Sequence, residues 1–213
     1  MAETDVAREG HGVNSGEAPG PLLLMLHGRG GSESDLEWLA DGVPEPWTPL
    51  LLRGPVPLGE RFQWFSVPED IGPSLISRVV RPIADDLLHW IHQNASGRRV
   101  GVLGYSQGGA VALQMLRRAP HRLDFVITLA GFTTSDPEIG DIELAQRRPP
   151  VFWGRGADDA VIPPSDIEQM REFLPTHVEL LERMYERADH GITHDMAADV
   201  QRFIRAQTDR RPG

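Results

Sequence analysis

The sequence predicts an α/β fold, a compact, mostly parallel sheet of about six or seven strands flanked by helices. Three observations predict it. From residue 21 onward, short apolar runs alternate with amphipathic segments, the rhythm of strands and crossover helices. Most of the runs are continuously apolar, as expected of strands covered on both faces. Finally, Gly104-Tyr105-Ser106-Gln107-Gly108 lies between an apolar run, Val100 to Leu103, and a helical segment, Ala110 to Leu116, so strand, tight turn and helix follow one another.

Taken in order, the runs Leu22 to His27, Pro49 to Arg53, Val100 to Tyr105, Phe125 to Ala130, Val151 to Gly154 and Val178 to Tyr185 read as strands. The last is mixed in polarity, which suits a sheet edge. Helices are expected over Ser34 to Asp41, Leu75 to Asn94, Gln107 to Ala119, Ser165 to Leu174 and Thr193 to Thr208. Ser165 and Glu168 have the spacing of a capping box, in which a serine oxygen and a glutamate each satisfy a backbone amide at the helix start. Gly54 to Pro73, with several Pro and Gly beside Phe62, Trp64 and Phe65, reads as a long structured loop of the kind that lines sites. Residues 1–20 are expected to be a disordered tail, 21–208 a single domain, and 209–213 a frayed C-terminal tail.

Composition excludes several classes of function. The chain has 213 residues, 40% of them hydrophobic, which suits one core. A formal charge of -10 repels nucleic-acid backbones and anionic membrane surfaces. With no cysteine there is no disulfide, thiolate metal site or cysteine nucleophile. The first twenty residues contain no apolar segment of the secretory type, and Leu22 to Leu26 falls far short of the roughly 20 residues needed to span a bilayer. A cytoplasmic protein without a stable membrane anchor is the expectation, and a homodimer is left open.

The turn at 104–108 is where chemistry is expected. Glycines two before and two after Ser106 permit a reversal so tight that side chains there would collide, with the serine at its tip. A serine hydroxyl needs a base to take its proton and an acid to hold that base in the right tautomer. Downstream of the strand at 151–154 lies Arg155-Gly156-Ala157-Asp158-Asp159, and downstream of the last strand lies Asp189-His190-Gly191-Ile192. Both are loops at the carboxyl ends of strands, where open α/β sheets bind ligands, so Ser106, a carboxylate and His190 can converge.

Together, Leu26-His27-Gly28-Arg29-Gly30-Gly31, Gly104-Tyr105-Ser106-Gln107-Gly108-Gly109, Gly156 with Asp159 and Pro163, and Asp189-His190-Gly191-Ile192 resemble the α/β-hydrolase superfamily. Within it they resemble the phospholipase/carboxylesterase group that includes acyl-protein thioesterases. The resemblance covers about residues 21–208 and implies an α/β-hydrolase fold with no large lid domain. It implies Ser106 as nucleophile, Asp159 rather than Asp158 as acid, because glycine lies three before it and proline four after, and His190 rather than His194 as base. The oxyanion-hole amides are then those of Gln107 and Arg29. Trp64, Phe65 and Phe132 are candidate walls of the substrate pocket, core packing being the alternative for each.

The implied activity is cleavage of a small-molecule carboxylic ester, with thioester hydrolysis by the same residues as the alternative. A noncatalytic ligand-binding module is the reading from another class. No cofactor and no metal are implied. Gly28 and Gly30 begin a dinucleotide-binding fingerprint, but its third glycine position is Glu33. Asp85, His89 and His92 share a helical face and His190 and His194 lie four apart, yet neither set completes a known ligand group.

Overall fold

The computed structural model describes residues 20–67 and 73–210; apart from residues 20, 209 and 210, the expected tails lie outside them. In chain order the strands are β1 (Leu22–Leu26), β2 (Thr48–Leu52), β3 (Val56–Leu58), β4 (Arg61–Gln63), β5 (Val100–Tyr105), β6 (Phe125–Leu129), β7 (Pro150–Gly156) and β8 (Glu179–Tyr185). The helices are α1 (Glu37–Ala40), α2 (Pro73–Asn94), α3 (Gln107–Arg118), α4 (Asp141–Arg147), α5 (Pro164–His177) and α6 (His194–Thr208). Six strands form one sheet in the order β2-β1-β5-β6-β7-β8, every neighbouring pair parallel. The mixed segment that ends the series is the edge strand β8, as its composition implied.

Alternate residues of each strand feed two apolar layers, which is why the strand sequences lack polar alternation. Leu22, Leu24, Leu26, Val102, Val126 and Trp153 pack with α2, α3 and α5 on one face. Leu23, Met25, Leu103, Ile127 and Phe152 pack with α1 and α6 on the other. All strand carboxyl ends therefore point the same way, and the loops that follow β1, β5, β7 and β8 meet there. Among the described residues no helix is long and apolar enough to cross a membrane.

Four details differ from expectation. Within the loop at 54–73, β3 and β4 form a two-stranded antiparallel hairpin. The helix expected from Ser34 is a 3-10 turn, Glu33–Leu36, followed by the short α1. A further helix, α4, follows the loop after β6. The capping box at Ser165 and Glu168 does not form: α5 begins one residue earlier, with Pro164 in the first turn and Pro163 as N-cap, so Ser165 is already inside the helix. The same helix runs past Pro175 to His177, and its closing carbonyls are satisfied from outside, Arg148 donating to the oxygens of Pro175, Thr176 and Val178 at 2.9, 3.0 and 2.7 Å.

Candidate active site

At the junction of β5 and α3, Ser106 has φ 52° and ψ -115°, a conformation costly for a residue with a side chain. The neighbouring glycines explain how the turn closes. A Cβ on Gly104 would strike the carbonyl oxygen of Gly108, and one on Gly108 would strike that of Leu26 in β1. The strained serine is pinned by its amide, which donates to Leu129 O at 2.8 Å.

His190 Nε2 lies 2.8 Å from Ser106 Oγ, and His190 Nδ1 lies 2.8 Å from Asp159 Oδ2. The other carboxylate oxygen, Oδ1, accepts from the amides of Val161 at 2.9 Å and Ile162 at 3.2 Å. The Asp159 side chain is only 2% exposed. Burial opposes its ionisation, but the bonds from His190 and from the two amides outweigh that and hold the carboxyl below its ordinary value. An anionic Asp159 fixes the proton of His190 on Nδ1 and leaves Nε2 free to accept from the serine hydroxyl.

The loops that carry Asp159 and His190 are built against each other. A Cβ on Gly156 would strike the carbonyl oxygens of Ala188 and Asp189, so only glycine lets the end of β7 approach the histidine loop. Ala157 N donates to Tyr185 O at 2.9 Å and Asp158 N to Ala188 O at 3.0 Å. Asp158 is exposed. His194 is the first residue of α6, its ring 5.7 Å from Trp38 and edge-on to it.

Tyr105, which the sequence pattern did not single out, donates its hydroxyl to His190 O at 2.9 Å, with the two rings 5.4 Å apart. Burial, and then the charges of Asp159 and Asp189, push its phenol above the ordinary value, so it remains a donor.

The glycine-rich loop after β1 passes close to Ser106 at Gly28. An added Cβ on Gly28 would lie 3.5 Å from Ser106 Cβ and 2.9 Å from the Tyr105 ring. The hairpin grips this loop: Gly30 N donates to Phe62 O at 2.8 Å and Phe62 N to Gly31 O at 2.9 Å. The Arg29 side chain is exposed, its Nε 3.3 Å from Gln63 Oε1. Gln107 opens α3, so its amide is among those a helix start leaves without an intrahelical acceptor.

His27 is fully buried behind this loop, where burial pushes its imidazole below the ordinary value. A neutral ring then donates from Nδ1 to Gly28 O at 2.7 Å and accepts at Nε2 from Gly54 N at 2.9 Å.

The aromatic residues expected as pocket walls are arranged differently. Trp64 is 1% exposed and Phe65 3%, both inside the core layer that faces α2 and α3. Trp64 has a place for its polar end as well, Nε1 donating to His27 O at 2.8 Å. Both are thus packed in the core, the alternative the sequence offered, and Trp64 also lines a cavity of about 120 Å³ with Leu52, Pro55 and Trp90. Phe132 is half-buried against the same layer.

An open groove of about 230 Å³ is lined by Gly28 to Gly31, Asp35, Leu36, Trp38, Tyr105 and Ile192, so it lies next to the residues that flank Ser106 and His190. Trp38 is 42% exposed at its edge. Two larger cavities, of about 350 and 400 Å³, open at the amino ends of β7 and β8, remote from Ser106. Among the described residues no group of three or more His, Asp or Glu side chains is arranged to hold a metal ion.

The chain is similar to acyl-protein thioesterase 1 of Kluyveromyces lactis, 22% identical over 213 residues that take in 86% of this chain and 90% of the relative. Among solved structures, a carboxylesterase from Bacillus cereus superposes with a TM-score of 0.78 at 19% identity, covering 96% of this chain and 95% of that one. A carboxylesterase from Mesorhizobium loti gives 0.75 at 20% identity, covering 89% and 90%. These likenesses are of fold. The model of the phospholipase/carboxylesterase family matches residues 53–208, and by that match the chain belongs to the phospholipase/carboxylesterase family of hydrolases.

Proposed function

We propose that the protein is a serine hydrolase that cleaves carboxylic esters through an acyl-enzyme. The observation that carries the reading is the unbroken series of hydrogen bonds from Ser106 through His190 to Asp159. Ser106 Oγ attacks the ester carbonyl as His190 Nε2 takes its proton, and the amides of Arg29 and Gln107 donate to the oxygen that becomes negative. His190 then gives the proton to the departing alcohol. Water attacks the acyl-enzyme with His190 again as base, and acid leaves last. No cofactor enters these steps. Thioester hydrolysis uses the same residues, and the similarity to acyl-protein thioesterase 1 favours it as the second reading.

A fluorophosphonate probe tests the proposal, because it phosphonylates an activated serine and leaves an inert one alone. Labelling of the native protein that is absent from Ser106→Ala is expected; equal labelling, or none in either, would favour a noncatalytic module. A rate profile is a second check. Protonated His190 cannot accept from Ser106, so hydrolysis falls on acidification, whereas Asp159, held below its ordinary value, stays ionised. His27 affects stability in the same direction: its lowered value means the unfolded chain gains a proton first, so stability present above the ordinary histidine value declines as pH falls. Melting curves at each pH separate the two effects. A rate that does not fall with acidification, over the range in which melting shows the fold intact, removes His190 from the role of base.

The groove beside the nucleophile gives a preference. His190 must reach the leaving oxygen, and the groove is lined by Ile192, two residues after His190, and by Tyr105, whose ring faces it. It therefore receives the alcohol part of the ester; Leu36, Trp38 and Ile192 give it a nonpolar wall, with Arg29 and Asp35 on its polar side. Trp38→Ala raises KM by about 5- to 20-fold for an ester of a bulky nonpolar alcohol, the range expected from removing part of one aromatic wall. KM for the methyl ester of the same acid changes little. Equal effects on both esters would move the alcohol elsewhere.

A further inference from the structure

We infer that the side chain of Gln107 is a positioning residue, clamping the segment 61–65 so that both oxyanion donors are held by one network. The inference rests on the serine-hydrolase reading above. The backbone of Gln107 carries one proposed donor; its side chain does something separate. Gln107 is 3% exposed, and its amide spends both ends on the backbone after β4: Oε1 accepts from Trp64 N at 2.7 Å, and Nε2 donates to Phe65 O at 2.8 Å.

That segment in turn holds the loop bearing the other donor, Arg29. Trp64 Nε1 donates to His27 O, and Phe62 exchanges backbone bonds with Gly30 and Gly31, immediately after Arg29. Arg61 follows the same line, its Nε donating to Gly30 O at 3.0 Å. The path from one donor to the other thus runs Gln107, Trp64, His27, Gly28, Arg29, through hydrogen bonds and covalent chain alone.

This arrangement meets a specific need. An oxyanion donor is effective only when aimed at the place the charged oxygen will occupy, and two donors on separate segments must agree on that place. The loops after β1 and β5 are glycine-rich and have few side chains with which to hold each other. A neutral amide can satisfy one donor and one acceptor at once, which neither a carboxylate nor a hydrocarbon of the same shape can do in both directions. It also adds no net charge beside a developing anion.

The test begins with the native protein, whose labelling by a fluorophosphonate and hydrolysis of 4-nitrophenyl esters establish the underlying reading; failure there overturns that reading, not the clamp. Gln107→Met then keeps the length of the side chain and removes both bonds. The expected result is a fall in kcat of about 10- to 100-fold with KM within about 2-fold, the consequence of displaced donors. Inhibition by an alkyl boronic acid, which mimics the tetrahedral state on Ser106, weakens by the same factor as kcat/KM falls.

Trp64→Phe, which preserves a buried ring and deletes the donor to His27 O, gives a smaller loss of the same kind and covers the case in which Gln107→Met fails to fold. Because the two bonds belong to one network, the double variant loses less than the product of the two single losses. The clamp is overturned if kcat is unchanged, if the loss falls on KM alone, if boronate affinity does not follow kcat/KM, or if the two losses multiply.

Discussion

Ser106→Ala lowers kcat for ester hydrolysis by on the order of 10⁶-fold, the scale seen when a nucleophile is taken from a serine hydrolase whose remaining parts act only through it. The substitution removes the hydroxyl and, with it, the hydrogen bond to His190. Alanine inherits the same φ of 52°, and the amide that donates to Leu129 O is untouched, so melting temperature stays near that of the native protein. Loss of rate with retention of stability separates chemistry from folding. A variant that keeps more than a few per cent of the native rate would remove Ser106 from the mechanism.

Asp159→Asn lowers kcat by about 10⁴-fold, although it changes neither the size nor the shape of the side chain. The reason lies in the two amides on its far side. Val161 N and Ile162 N both donate to Oδ1, so an asparagine keeps its carbonyl oxygen there and turns its NH₂ toward His190. A ring nitrogen facing that NH₂ must accept, so Nδ1 gives up its proton and Nε2 carries it, which is the wrong tautomer for taking one from Ser106. The exposed Asp158 has no such part, and Asp158→Asn retains at least half the native rate. Comparable losses at the two positions would refute the choice between these neighbours.

The sheet was legible because it is buried on both faces. Runs such as Leu22 to Leu26 and Phe125 to Leu129 have no polar residue that could face water, apart from Thr128, which is itself buried. The hairpin was not legible because β3 and β4 have three residues each, too few for a period to register, and one of those in β3 is Pro57. Helix α4 follows a loop containing Thr133, Thr134, Ser135, Asp136, Pro137 and Gly140, and only Leu144 is buried while Ile142 stands 78% exposed, so its apolar pattern points partly outward.

At the site, the turn bearing Ser106 was readable because its closure demands glycines at 104 and 108, whereas Asp159 and His190 were picked out by the family resemblance; His190 lies within hydrogen-bond reach of both Ser106 and Asp159. The sequence left Trp64 and Phe65 between pocket and core because an aromatic pair in a long loop looks alike whether it lines a cavity or anchors the loop to the core. Arg117 shows the same limit in a charged residue. As one of two arginines closing α3 it resembles an ordinary helix end, yet it is 2% exposed, paired with Asp141 and bonded to Thr134 O at 2.6 Å and Asp136 O at 2.8 Å, which fixes the loop after β6. No local pattern announces such a long-range role.

The close approach of Gly156 to the histidine loop divides the three central residues unequally. Backbone bonds from Ala157 and Asp158 bind the ends of β7 and β8 into one corner, so Asp159 and His190 are carried by a single body, while Ser106 rides on β5 with β6 between. Within that corner the Nδ1–Oδ2 bond and the two amides on Oδ1 hold Asp159 and His190 together, and Tyr105, the residue before Ser106, ties the corner back to β5 through its bond to His190 O. On the proposed mechanism the base and its acid are thus assembled at one corner of the sheet and the nucleophile two strands away, joined across β6 by the Tyr105 hydroxyl.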